Sequence, residues 1–165
     1  MSHSLLTHRP ANDSAGHPHH PNDSGHHPEP LADSADSPVV RLTVLVVEDD
    51  PGVATIERML LEQAGFTVLL ANNGTTGWEM AQRQLPAAVV LDVDLPGLNG
   101  CEVCRRLKES PATRHLPVLI CSGNPNAREQ ARQAGADDFL AKAEDVILLA
   151  PRVLRLLGRS AQNRA

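Results

Sequence analysis

Five times along this chain a short apolar run gives way to a stretch with helical spacing, and the connections between them are brief. The runs are 42–47, 66–71, 87–91, 117–121 and 138–141, separated by turn formers such as Pro51-Gly52, Asn72-Asn73-Gly74 and Leu95-Pro96-Gly97. Short apolar runs bounded by turn signals suit strands covered on both faces of a parallel sheet. The stretches 53–64, 75–85, 99–109, 127–134 and 146–157 read as helices, with Gly65, Pro86, Ser110-Pro111 and Gly135 as stops. In the first of them the apolar stripe is read as Val53, Ile56, Leu60 and Ala64. Regular alternation of this kind predicts an α/β fold: a doubly wound (βα)5 unit whose five-stranded parallel sheet has right-handed crossovers and helices on both faces.

That topology has a chemical consequence. Ligands and reacting groups in open parallel sheets gather beyond the carboxyl ends of the strands. Glu48, Asp49, Asp92, Ser122 and Lys142 each fall at such an end, so residues distant in sequence are brought to one edge. Carboxylates that converge repel one another unless a cation neutralises them. An all-oxygen donor set, without His or Cys, favours a hard ion such as Mg²⁺. A metal, a lysine and a hydroxyl together suit a phosphoryl group, and a carboxylate can accept one as an aspartyl phosphate. Asp92 stands alone at its strand end and is the best nucleophile; Asp50, next in the acidic run, also reads as a cap for the first helix.

The rest of the composition narrows the partners. Net charge is −5 with no basic cluster, and Trp78, Phe66 and Phe139 are the only aromatics, which argues against nucleic-acid binding. No apolar run is long enough to span a membrane, and residues 1–10 lack the core of a secretory signal. Three cysteines without an export signal imply reduced thiols and a cytoplasmic setting. Cys101 and Cys104 have CxxC spacing, but no second pair or nearby histidines accompany them, so they read as small core residues, as does Cys121. Residues 1–40, rich in His, Pro, Asp and Ser, cannot bury enough surface to offset ordering entropy and are expected to be a disordered tail. The histidines there (His3, His8, His17, His19, His20, His26 and His27) read as solvated rather than as a metal site. The folded unit is expected over 41–160, with a short tail at 161–165.

Four segments in this order carry a family likeness: Val44-Leu45-Val46-Val47-Glu48-Asp49-Asp50-Pro51, Val90-Leu91-Asp92-Val93-Asp94-Leu95-Pro96-Gly97-Leu98-Asn99-Gly100, Pro117-Val118-Leu119-Ile120-Cys121-Ser122-Gly123 and Gly135-Ala136-Asp137-Asp138-Phe139-Leu140-Ala141-Lys142. From about Leu42 to Leu157 the chain resembles the CheY-like receiver domain of two-component response regulators, with their flavodoxin-like fold. The resemblance implies that Asp92 is the phosphoacceptor. Mg²⁺ would be held by Asp49, Asp92 and the backbone carbonyl of Asp94, with Glu48 acting through water. Ser122 would hydrogen-bond the phosphoryl group, Lys142 would ion-pair with it, and Phe139 would be the aromatic switch that turns inward. Asp94 and Asn124 would tune the lifetime of the phosphate. Implied partners are a histidine kinase or phosphotransfer protein and a downstream protein target, with a homodimer as a further option. Only eight residues follow Leu157, so a stand-alone receiver without a DNA-binding domain is expected; it is a signalling module rather than an enzyme.

The chain departs from the family pattern where Ala143 follows Lys142 in place of the usual proline, and where the interval from Ser122 to Lys142 is about two residues short. Pro151 falls inside the last predicted helix, removes a hydrogen bond to Ile147, and should kink or restart it. Two other readings compete. One is a receiver-like module that works by binding alone. The other is a haloacid dehalogenase-like phosphatase using Asp92 and Asp94, although that family places its motif on the first strand, not the third.

Overall fold

The computed structural model describes residues 40–162. The expected tail over 1–40 therefore lies, except for Val40, outside the described residues, as do the last three positions. Five strands, β1 (Thr43–Val47), β2 (Thr67–Ala71), β3 (Ala88–Leu91), β4 (Val118–Ser122) and β5 (Asp138–Ala141), form one parallel sheet in the order β2-β1-β3-β4-β5. The predicted (βα)5 architecture is present, and the strand order reverses direction between β1 and β3. That junction is where open α/β sheets bind ligands.

Alternating residues of each strand feed two cores. Leu45, Val47, Val89, Leu91, Val118 and Ile120 pack on one face beneath α2 (Gly74–Gln84), α3 (Gly100–Glu109) and α4 (Arg128–Gln133). Val44, Val46, Val90, Leu119 and Cys121 pack on the other beneath α1 (Pro51–Gln63) and the final helix. Strands covered on both faces have no solvated side, which is why their sequences read as unbroken apolar runs.

Two sequence expectations are corrected. The buried positions of α1 are Ala54, Glu57 and Leu61, whereas Ile56 is 51 % exposed. The stripe Val53-Ile56-Leu60-Ala64 was therefore not the core face; a glutamate breaks the apolar pattern of the true one. The last helix is also not continuous from Val146. Lys142–Asp145 forms a one-turn helix, α5, directly after β5, followed by a 3-10 turn at Val146–Leu148 and then α6 (Leu149–Gln162). Pro151 now lies in the first turn of α6, where its missing N–H has no intrahelical partner to lose. The helix restarts rather than kinks, and it runs into the segment expected to be a short tail. The shortened interval after Ser122 is taken up by a 3-10 turn, Pro125–Ala127, and a six-residue α4.

Candidate functional site

The strand register delivers the acidic residues. Val47 pairs with Leu91 across β1 and β3, so Glu48 and Asp92 leave the sheet side by side. Asp92 N–H donates to the Val47 carbonyl at 3.0 Å, which carries the ladder one residue past β3. Ser122 pairs with Ala141, so Lys142 emerges beside the end of β4. All five strand-end residues singled out from the sequence are thus brought to one edge.

The polar contacts there are specific. Lys142 Nζ donates to Asp92 Oδ1 at 3.0 Å and also to Glu48 Oε2. Asp92 Oδ2 accepts from Asp94 N–H at 3.1 Å, so both carboxylate oxygens of Asp92 are held. Glu48 Oε1 accepts from Asp50 N–H at 3.2 Å. Glu48 and Asp92 are buried, while Asp49 is exposed. Burial opposes the charge of Lys142, but the carboxylates of Glu48, Glu57 and Asp92 outweigh it and hold the ammonium pKa above its ordinary value. Asp50 is the N-cap of α1: its Oδ1 accepts from Gly52 N–H at 2.8 Å and Val53 N–H at 2.9 Å.

One carboxylate oxygen from each of Glu48, Asp49 and Asp92 lies within 4.8 Å of the others. Three hard oxygen donors this close fit a small divalent cation such as Mg²⁺. Ser122 is fully buried, and its Oγ accepts from Asn124 N–H at 3.1 Å, so the hydroxyl and the loop after β4 are tied together. Asp94 and Asn124 are exposed on the loops after β3 and β4. Phe139 is already inward, 4 % exposed in the first core, with the Arg128 guanidinium 4.8 Å from its ring centroid. Cys101 and Cys104 are both buried on α3, as expected of core residues rather than a redox pair.

Two glycines set how closely the loops approach. A Cβ on Gly100 would stand 1.8 Å from the Asp92 carbonyl oxygen, so only glycine lets α3 begin against the backbone of the candidate nucleophile. Gly97, at φ +78°, makes the preceding turn in the left-handed region.

Glu57 was not anticipated. It is 1 % exposed, and its Oε1 lies 4.0 Å from Lys142 Nζ without a hydrogen-bond partner among the described residues. Burial is the main reason its pKa rises to about 7; Lys142 pulls it down, and Glu48 and Asp92 push it further up. The available signal was its i, i+3 and i+7 spacing with Ala54 and Leu61, but a search for apolar residues alone passes over a glutamate.

Comparison with known proteins gives one answer. Residues 44–153 match the family described as the response regulator receiver domain. Response regulator PleD of Caulobacter vibrioides is 40 % identical over 116 residues, covering 68 % of this chain and 25 % of that protein. Response regulator MprA of Mycobacterium leprae is 37 % identical over 126 residues, covering 75 % of this chain and 54 % of that protein. The chain thus spans from a quarter to about half the length of these relatives. Among solved structures, the receiver domain of a Pseudomonas aeruginosa sensor histidine kinase, with a magnesium ion coordinated in its active-site cleft, superposes with a TM-score of 0.67 at 30 % identity, covering 72 % of this chain and 99 % of that one. The receiver domain of a signal transduction histidine kinase from Syntrophus aciditrophicus gives 0.66 at 31 % identity, covering 72 % and 91 %. By fold, strand-end geometry and family match over most of its described length, the chain belongs to the response regulator receiver domains of two-component systems.

Proposed function

We propose that Asp92 accepts a phosphoryl group from a phosphohistidine on a histidine kinase or phosphotransfer protein, and that the resulting aspartyl phosphate changes the affinity of this chain for a downstream protein. The observation that carries this reading is the placement of Lys142, whose ammonium bridges Asp92 and Glu48 at the edge where Asp49 and Ser122 also lie. A carboxylate oxygen of Asp92 forms the new O–P bond as the N–P bond of the phosphohistidine breaks. The electron pair leaves with the imidazole nitrogen. Lys142 then turns from the Asp92 carboxylate to the phosphoryl oxygens, and the Ser122 hydroxyl donates to one of them. Glu48, Asp49, Asp92 and the Asp94 carbonyl are the groups that would hold Mg²⁺, which supplies charge neutralisation when bound. Asp94 and Asn124 flank the approach of the water that later hydrolyses the acyl phosphate. No step requires turnover of a free substrate, so the chain acts as a signalling module rather than an enzyme.

Among the described residues no helix is long and apolar enough to cross a membrane. The phosphatase reading has no support from a DxD motif on the third strand of a receiver fold. Intact mass after incubation with a small phosphodonor and Mg²⁺ tests the proposal. One phosphoryl group is expected on the wild type, with none on Asp92→Asn and none when Mg²⁺ is chelated. A wild type that stays unmodified in every condition would leave binding without phosphorylation as the function; many cycles of donor turnover would restore the phosphatase.

A further inference from the structure

Three buried or partly buried carboxylates share one ammonium. Lys142 Nζ donates to Glu48 and to Asp92, and the third carboxyl, Glu57, stands 4.0 Å away with Oε1 unpartnered among the described residues. Glu57 comes from the core face of α1 and is the most deeply buried of the three, at 1 % exposed against 5 % for Glu48 and 7 % for Asp92. A buried glutamate with one carboxylate oxygen unpartnered, and only the Cys121 thiol as a weak hydrogen-bond partner, costs stability. Its surroundings are otherwise apolar or already paired: Leu61 on its own helix, the Cys121 thiol on β4, and Lys142 at the start of α5. The group it faces is the lysine that the phosphoryl group is to engage.

We infer that Glu57 is a positioning residue for phosphoryl binding: its carboxyl is the inner counter-charge of Lys142, and it weakens the hold of that ammonium on an anion at Asp92. The inference rests on the phosphoacceptor reading given above. A unit negative charge this near a lysine in a region of low dielectric offsets much of the field the lysine projects outward. When phosphorylation removes the negative charge of Asp92 as a competitor, Glu57 remains behind the ammonium and keeps its pull on the phosphoryl oxygens moderate. The titratable and charged groups facing Glu57 are Lys142, Glu48, Asp92 and Cys121, so its own protonation follows the same cluster.

The test uses beryllofluoride with Mg²⁺ as a phosphoryl mimic, with affinity measured by titration calorimetry on the full chain. Wild type, Glu57→Gln, Glu57→Leu and Asp92→Asn are compared at several pH values. Both Glu57 variants are expected to bind about tenfold more tightly than wild type at pH 8. The gap should close toward pH 6, where the wild-type carboxyl is itself neutral. Taking the ratio of variant to wild type cancels the pH dependence of the probe. Equal affinities at pH 8, a gap that does not change with pH, or an effect confined to Glu57→Leu would overturn the inference and assign Glu57 to packing alone. Beryllofluoride binding that is absent from wild type, or that survives Asp92→Asn, would overturn the phosphoacceptor reading and this inference with it. Tight wild-type binding through Asp92 with unchanged variants would remove only Glu57.

Discussion

Lys142 Nζ sits 3.0 Å from Asp92 Oδ1, fifty residues away in sequence, and the same ammonium donates to Glu48. A lysine committed to two buried carboxylates is a structural part before it is a chemical one. Lys142→Met leaves Glu48 and Asp92 facing each other without a counter-charge. The expected loss is roughly 2–3 kcal/mol, below the usual cost of breaking a fully buried pair because the lysine is partly exposed. Millimolar Mg²⁺ should restore more stability to the variant than it adds to wild type, as urea melts with and without the ion would reveal. Equal protection of both proteins would mean that the lysine and the cation do not neutralise the same carboxylates.

Glu57 makes stability depend on pH in a defined window. Its folded pKa of about 7 lies above the ordinary value of 4.5, so between those values the folded chain retains a proton that the unfolded chain has released. Stability from this group is fully present below about 4.5 and falls as pH rises through 7. At pH 8 the penalty is on the order of 3 kcal/mol. Glu57→Leu should therefore be more stable than wild type at pH 8, with the difference shrinking toward pH 5 in parallel denaturant titrations. A difference that is the same at both pH values would show that the gain comes from packing.

Gly100→Ala should damage the site from outside the ring of charged residues. The new Cβ would meet the Asp92 carbonyl oxygen at 1.8 Å and its carbon at 2.8 Å, and both are backbone atoms that cannot swing away. A loss of at least about 2 kcal/mol is expected, together with a lower yield of phosphorylated protein. Thermal melting and intact mass would report the two effects separately. Wild-type behaviour in both would mean that α3 can back away from Asp92.

The three cysteines should resist alkylation while the chain is folded. All are buried, and burial raises each thiol pKa, for Cys104 to about 12. Iodoacetamide at pH 8 is expected to leave the native mass unchanged over a period in which denatured protein gains three adducts. Rapid labelling of Cys101 and Cys104 in the native state would revive a redox role for the CxxC pair.

Much of this was legible because parallel strands write themselves plainly. An apolar run followed by an acid, hydroxyl or lysine is visible in Val47-Glu48, Leu91-Asp92, Cys121-Ser122 and Ala141-Lys142, and the sheet converts those junctions into one edge. What stayed hidden had the opposite character. Glu57 is charged at a buried position, so a pattern built from apolar residues alone does not include it. The division of the final helix depended on where Pro151 would fall relative to a start signal, and Leu149 carries no recognisable cap. Asp50 had two plausible roles in sequence, and only the two N–H groups at its Oδ1 chose the cap.

The glycine contacts have a mechanical meaning as well. Gly100 abuts the carbonyl of Asp92, and a Cβ on Gly74 would fall 1.7 Å from the Leu98 carbonyl oxygen, so the starts of α2 and α3 are wedged against main chain. Beyond β4 the situation reverses: a Cβ on Gly123 would touch nothing within 4 Å, and the connection to β5 holds only a 3-10 turn and a six-residue α4 as regular structure. One flank of the site abuts main chain and the other faces open space at Gly123. Added side-chain bulk is therefore tolerated on the Gly123 side of the site and excluded on the side where α2 and α3 begin.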